Sequence, residues 1–135
     1  MATSTDIITR ARQRLRIHAD EEPLQAHELD KGIIALNDML YSWVQDKSIQ
    51  GFKTGRADDI VHIITKDGTT LTNEANSAVV ANLAIRLADD YEVPVSPFVL
   101  RDATDGLNAI VAMGFLNTDV QSSFDSALSY MPSQR

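Results

Sequence analysis

Apolar positions along this chain recur mostly at helical spacing, and the repeats divide it into four helical stretches interrupted by one β-branched segment. Ile8, Ala11 and Leu15 fall at i, i+3 and i+7. They predict a first helix ending near Leu15 or Arg16, capped by Ser4, Thr5 or Asp6. The acidic HADEEP run that follows reads as a turn, with Pro23 suited to the first turn of the next element. From Leu24 to about Val44, Leu29, Ile33, Leu36, Leu40 and Trp43 recur at spacings of four and three, the mark of a core-facing stripe. Trp43 is expected to anchor the core. Gly32, inside that helix, costs about 1 kcal/mol relative to alanine, and its presence predicts close approach of another helix.

Residues 45–59 break the pattern with Gly51, Gly55 and many polar groups. A loop of that length is uncommon in a compact domain, and such loops are often binding elements; Phe52 and Arg56 are its candidate contacts. IVHIIT, residues 60–65, is β-branched. Asp67-Gly68 predicts a two-residue hairpin turn, with a returning strand over residues 69–72. A lone hairpin is marginal in water, so this one is expected to lean on the helices or to pair with a neighbouring chain.

A third helix is predicted from Thr72 or Asn73 to about Tyr91, with Val79, Leu83 and Leu87 as its apolar line. Ala78, Ala81, Ala84 and Ala88 allow close packing beside them. Asp89, Asp90 and Glu92 crowd its C-terminal end, where the helix dipole disfavours negative charge. Pro94 ends the run, and Ser96-Pro97 gives an N-cap followed by an N1 proline. The fourth helix is expected to reach about Leu116, with Val99, Leu100, Ala103, Leu107, Ile110, Val111 and Gly114 inward. Beyond Asn117, Val120, Phe124, Ala127, Leu128 and Met131 keep helical spacing, which predicts a short amphipathic helix folded onto the bundle or presented to a partner. The fold class is therefore mainly α. A four-helix, bundle-like domain spans residues 1–116, with a long loop and short β-hairpin between helices 2 and 3. An amphipathic tail follows over residues 117–135.

With 135 residues, 44% apolar and 23% charged, the chain is expected to fold as one globular domain. No apolar run approaches the roughly 20 residues of a membrane span, and residues 1–16 do not resemble a signal peptide. Cysteine is absent, which excludes disulfides and thiolate metal sites and leaves the compartment open, with the cytoplasm as the default. The net charge of −7 is unevenly spread. In residues 1–16, Arg10, Arg12, Arg14 and Arg16 against Asp6 give +3, while eight basic and eighteen acidic side chains leave the remainder at −10. An acidic body repels a phosphate backbone. A basic arm on it suits an acidic protein surface, including another copy of the same chain. The arginines pair along the helix as Arg10 with Arg14 and Arg12 with Arg16, which does not make one continuous phosphate-binding row.

The search for catalytic chemistry yields no constellation, and the expectation is that the protein is not an enzyme. His27-Glu28-Leu29-Asp30-Lys31 places a lysine where a zinc-protease helix requires its second histidine. His18, His27 and His62 lie in different elements. The adjacent acidic pairs Glu21-Glu22, Asp58-Asp59 and Asp89-Asp90 do not face one another across a cleft. Residues 102–106, DATDG, lack the ligand alternation of a calcium loop. Neither a glycine-rich phosphate cradle nor a GxSxG elbow occurs. No cofactor or metal is expected.

The segments ALNDMLYSW, residues 35–43, and NLAIRLADDY, residues 82–91, with Ser96-Pro97, occur in the order basic helix, long helix ending in tryptophan, loop with hairpin, alanine-lined helix and final helix. That order resembles the head–tail adaptor proteins of podophages, the tail accessory or packaged-DNA stabilisation family, over most of residues 5–116. Asp89 departs from it, where the family often places a proline. The resemblance implies a ring of about twelve copies beneath the portal of a filled capsid, joined by heterologous contacts. The ring would extend the DNA channel, help retain packaged DNA and carry a downstream tail or nozzle protein. DNA would pass without sequence-specific binding, and no membrane is involved. The location implied is the virion head–tail junction, after synthesis in the host cytoplasm. Expected portal or neighbour contacts are Arg10, Arg12, Arg14 and Arg16, Phe52 and Arg56 of the loop, and Val120, Phe124, Leu128, Tyr130 and Met131 of the tail. Two other readings compete: a small helical nucleic-acid-binding protein, such as a packaging recognition subunit, and a cell-wall-degrading enzyme, an activity associated with the same family. No residue is assignable to the latter.

Overall fold

A computed structural model describes residues 2–16, 25–47 and 49–130, with side chains as far as Met113. Four helices, α1 (Ser4–Arg14), α2 (Ala26–Asp46), α3 (Asn76–Tyr91) and α4 (Pro97–Tyr130), carry a small sheet between α2 and α3. Its antiparallel strands β1 (Ile49–Lys53), β2 (His62–Thr65) and β3 (Thr70–Leu71) lie in the order β1-β2-β3. The fold is mainly helical, as the periodicity predicts.

Thr3, one residue before the predicted caps, closes α1. Its hydroxyl accepts from the Asp6 N–H and the Asp6 carboxylate accepts from the Thr3 N–H, both at 3.2 Å. Ser4 and Thr5 lie in the first turn, where their N–H groups donate to the carbonyls of Asp59 and Ala57 at 2.9 and 3.0 Å. The stretch after β1 thus satisfies donors that a helix start leaves unpaired. Ile7, Ile8 and Ala11 of α1 are buried against α2 and α3.

In α2 the predicted stripe faces the core: Leu36, Leu40 and Trp43 are buried with Met39, and Leu29 and Ile33 are half-buried. Gly32 serves the close approach expected of it. A Cβ there would lie 2.8 Å from Cγ2 of Ile8, inside contact distance.

The stretch read as an irregular loop contains β1. Gln50 forms a bulge, since Ile49 pairs with Thr65 and Gly51 already with Ile64. The extra residue breaks the period-two alternation by which a strand is recognised. The hairpin turn also differs from expectation. The Thr65 N–H donates to the Thr69 carbonyl and the Gly68 N–H to the Thr65 carbonyl, both at 2.9 Å, enclosing three residues, 66–68. Gly68 has φ +90°, and Asp67 accepts from the Thr69 N–H at 3.1 Å and from the Thr65 hydroxyl. The sheet leans on the helices, β1 against α2 and β2 against α4.

α3 starts at Asn76, later than predicted. The Glu74 carboxylate accepts from the N–H groups of Thr72 and Asn73, each at 3.3 Å, and holds a turn ahead of the helix. Hydrogen bonds from backbone N–H groups, first its own and then those of Asn73 and Thr72, keep this carboxyl below the ordinary glutamate value against a smaller opposing effect of desolvation. Val79, Leu83, Leu87 and the four alanines are all buried. A Cβ on Gly106 of α4 would lie 2.7 Å from the Ala78 Cβ, so these two small residues set the α3–α4 separation. The Asn82 amide ties the helices by donating to the carbonyls of Ala78 and Ala103 at 2.8 and 3.0 Å.

α3 ends on Glu92 in the left-handed conformation, φ 54°, with the Val93 N–H donating to the Ala88 carbonyl at 3.1 Å. That is the Schellman arrangement, which favours glycine. A non-glycine residue there costs about 1 kcal/mol, and its charge opposes the helix dipole. Glu92→Gly is expected to raise stability by about 1 kcal/mol in urea melts; an unchanged or lower midpoint contradicts this.

The Ser96 hydroxyl caps α4 by accepting from the Val99 N–H at 3.3 Å. Val99, Ala103 and Ile110 are buried and Leu107 is half-buried. Leu100 was expected inward but is 47% exposed, because it lies about 100° round the helix from Val99. The helix also continues past the predicted end near Leu116 to Tyr130. Residues 115–130 contain neither glycine nor proline, so no backbone feature stops it.

Candidate interaction surfaces

The four arginines between residues 10 and 16 do not form one surface. Arg12 is buried, with its guanidinium 3.3 Å from the Glu28 carboxylate and 5.8 Å from the centre of the Tyr91 ring. It joins α1, α2 and α3, and its Nε is buried without a partner among the described residues. Arg14 is exposed and donates to Asp102 of α4 at 2.5 Å. At that exposure the pair contributes at most about 1 kcal/mol. Arg10 is exposed beside it, and Arg16 is exposed just past the helix with φ 58°. The predicted pairing of Arg10 with Arg14 is therefore a shared surface, while Arg12 belongs to the interior.

Tyr91 is half-buried in this cluster. Desolvation pushes its phenol above the ordinary tyrosine value, against the lowering effect of Arg12 and with smaller raising contributions from Glu28 and Asp90. A raised acid favours the folded state below its unfolded-state pKa of about 10, and that contribution is lost as pH rises through the folded value. Ultraviolet titration is expected to show Tyr91 ionising after an exposed tyrosine, with stability falling over the same range. Replacement by Phe should abolish the late component; its persistence contradicts the assignment.

Phe52 of β1 stacks edge-on against Tyr41 of α2, with ring centres 4.9 Å apart and planes at 85°. Arg56 is exposed in a turn closed by hydrogen bonds between its backbone and Asp59. Val120, Phe124, Leu128 and Tyr130 lie on the helical backbone of α4 beyond the last described side chain. Met131 lies outside the described residues, as does the whole HADEEP run, residues 18–23, which was expected to form a turn.

Three large apolar side chains that the periodicity did not single out are exposed: Ile34 and Tyr41 at 61%, and Phe98 at 71%. Ile34 and Tyr41 are seven residues apart on α2, off the buried stripe, and that offset was the available signal. Ile34 borders a groove of about 500 Å³ between α2 and α3, with Lys31, Asp38, Arg86, Asp89 and Asp90. Phe98 borders a cleft of about 700 Å³ formed by the end of α1 and the α3–α4 connection, with Arg14, Arg16, Val95 and Val99. A smaller recess of about 270 Å³ adjoins that cleft through Gln13 and Arg14 and includes Arg10, Ser77, Val80 and Asp102.

No group of three or more His, Cys, Asp or Glu side chains among the described residues could hold a metal ion. No helix there is long and apolar enough to cross a membrane. Residues 1–126 match the family described as P22 tail accessory factor. No curated protein matches the chain.

Proposed function

The chain belongs to the P22 tail accessory factor family, a bacteriophage tail-associated family, and from that premise we propose that it is a head–tail adaptor. Copies assemble as a ring under the portal, extend the DNA channel, help retain the packaged genome and offer a platform to the next tail component. The role is structural rather than catalytic. The observation that carries this reading is the family match itself, which runs from before α1 into the last turns of α4.

Physical properties support it. A conduit must let a duplex slide, and the −10 carried by residues 17–135 disfavours a tight grip on phosphate. The competing nucleic-acid reading loses ground from the arginines: Arg12 is buried on Glu28, and Arg14 is held by Asp102. α4, with 34 residues and a length of about 51 Å, gives the chain a rod much longer than the 16-residue α3 beside it. We assign portal contact to its last turns. A chain ending at residue 116 is expected to unfold cooperatively yet fail to cosediment with assembled portal. Undiminished cosedimentation contradicts the assignment.

A further inference from the structure

Two of the exposed apolar side chains, Ile34 and Phe98, border different, oppositely charged surfaces. The α2–α3 groove around Ile34 carries Asp38, Asp89 and Asp90 against Lys31 and Arg86. The cleft that Phe98 borders and the recess adjoining it through Gln13 and Arg14 carry Arg10, Arg14 and Arg16 against Asp102. One is net negative and the other net positive.

The surfaces also point in different directions. Arg86 and Asp89 border the groove, while Ser77 and Val80 border the recess. Ser77 to Arg86 and Val80 to Asp89 are each nine residues, which at about 100° per residue puts the two sets on opposite sides of α3. An apolar centre with a charged rim is the usual anatomy of a protein contact. Two complementary but different patches on opposite sides can join copies head to tail, the heterologous contact that closes rings.

We propose that Phe98 of one copy inserts beside Ile34 in the α2–α3 groove of the next, with Arg16 and Arg10 directed to Asp38, Asp89 and Asp90. This deepens the ring reading above and rests on it. The occupant is a second copy because the chain itself supplies both halves, apolar centre and opposite charge. Tyr41, on the Ile34 face of α2 and stacked on Phe52, extends the receiving surface towards the sheet.

The absence of native cysteine makes the contact directly testable. Ile34→Cys and Phe98→Cys are placed in one chain, both at exposed positions, and the full-length protein is bound to assembled portal and oxidised. A ladder of covalent multimers is expected from the double variant. Each single variant is expected to remain monomeric, because a head-to-tail contact does not bring like positions together. At about 1 M salt, where the Debye length is about 3 Å, the ladder formed on the portal should weaken several-fold. Ring density on the portal without a ladder, or single variants that dimerise as readily as the double variant ladders, overturns this contact and leaves the ring reading standing. No ring density with the unsubstituted chain overturns the ring reading and takes this contact with it.

Discussion

Glu28→Ala is expected to lower stability by about 2–4 kcal/mol, a larger loss than Arg12→Met produces. The asymmetry follows from burial. The Arg12 side chain is 7% exposed and that of Glu28 is 23% exposed. Removing the carboxylate leaves a guanidinium inside the α1–α2–α3 junction with no anion beside it, and stranding one member of a buried pair costs about 3–5 kcal/mol. The partial exposure of Glu28 lets water recover some of this. Methionine at position 12 instead removes the charge and keeps much of the packing volume, leaving a carboxylate that water reaches; about 1 kcal/mol is expected. Urea unfolding of the two variants measures the order directly. An Arg12→Met loss equal to or greater than the Glu28→Ala loss contradicts an uncompensated guanidinium as the cause.

Gly106→Ala is expected to destabilise by about 1–3 kcal/mol, although alanine is the better helix former by about 1 kcal/mol. The added methyl would lie 2.7 Å from the Ala78 Cβ and 3.0 Å from its Cα, and a backbone atom cannot rotate away. α3 and α4 must then separate, stretching the Asn82 bond to the Ala103 carbonyl. Gly32→Ala is the comparison. The three atoms nearest its new methyl are Cγ2, Cδ1 and Cγ1 of Ile8, at 2.8–3.0 Å, all of which Ile8→Ala removes, so Gly32→Ala should cost less in an Ile8→Ala background than in the parent. Gly106→Ala should cost the same in either background, since its contacts are to Ala78. A Gly106→Ala protein as stable as the parent shows that the helices are not held at contact by these two residues.

These expectations rest on features that were unequally legible in the sequence. Gly32 and the Ser96-Pro97 start could be read because a helix interior and a helix cap each impose a local chemical demand. The alanine face of α3 was legible for the same reason. β1 was not, because the Gln50 bulge removes the alternation that marks a strand. Residue type alone puts Leu100 inward, whereas its position about 100° from Val99 places it outward. Arg12 and Arg14 look alike in a list of arginines. Their separation depends on Glu28 and Asp102, partners supplied by other helices and invisible to local spacing. Exposed Ile34, Tyr41 and Phe98 were hidden for the converse reason, since an apolar residue is assigned to the core until the packing is known. The family resemblance located the scaffold; the surfaces required the fold.

The adaptor reading is tested most directly by mixing the purified full-length chain with its assembled phage portal and imaging the particles by electron microscopy. The account predicts a cyclic ring of added density beneath the portal, coaxial with its channel and with an open lumen. Portal particles unchanged at saturating concentrations of the chain would contradict it.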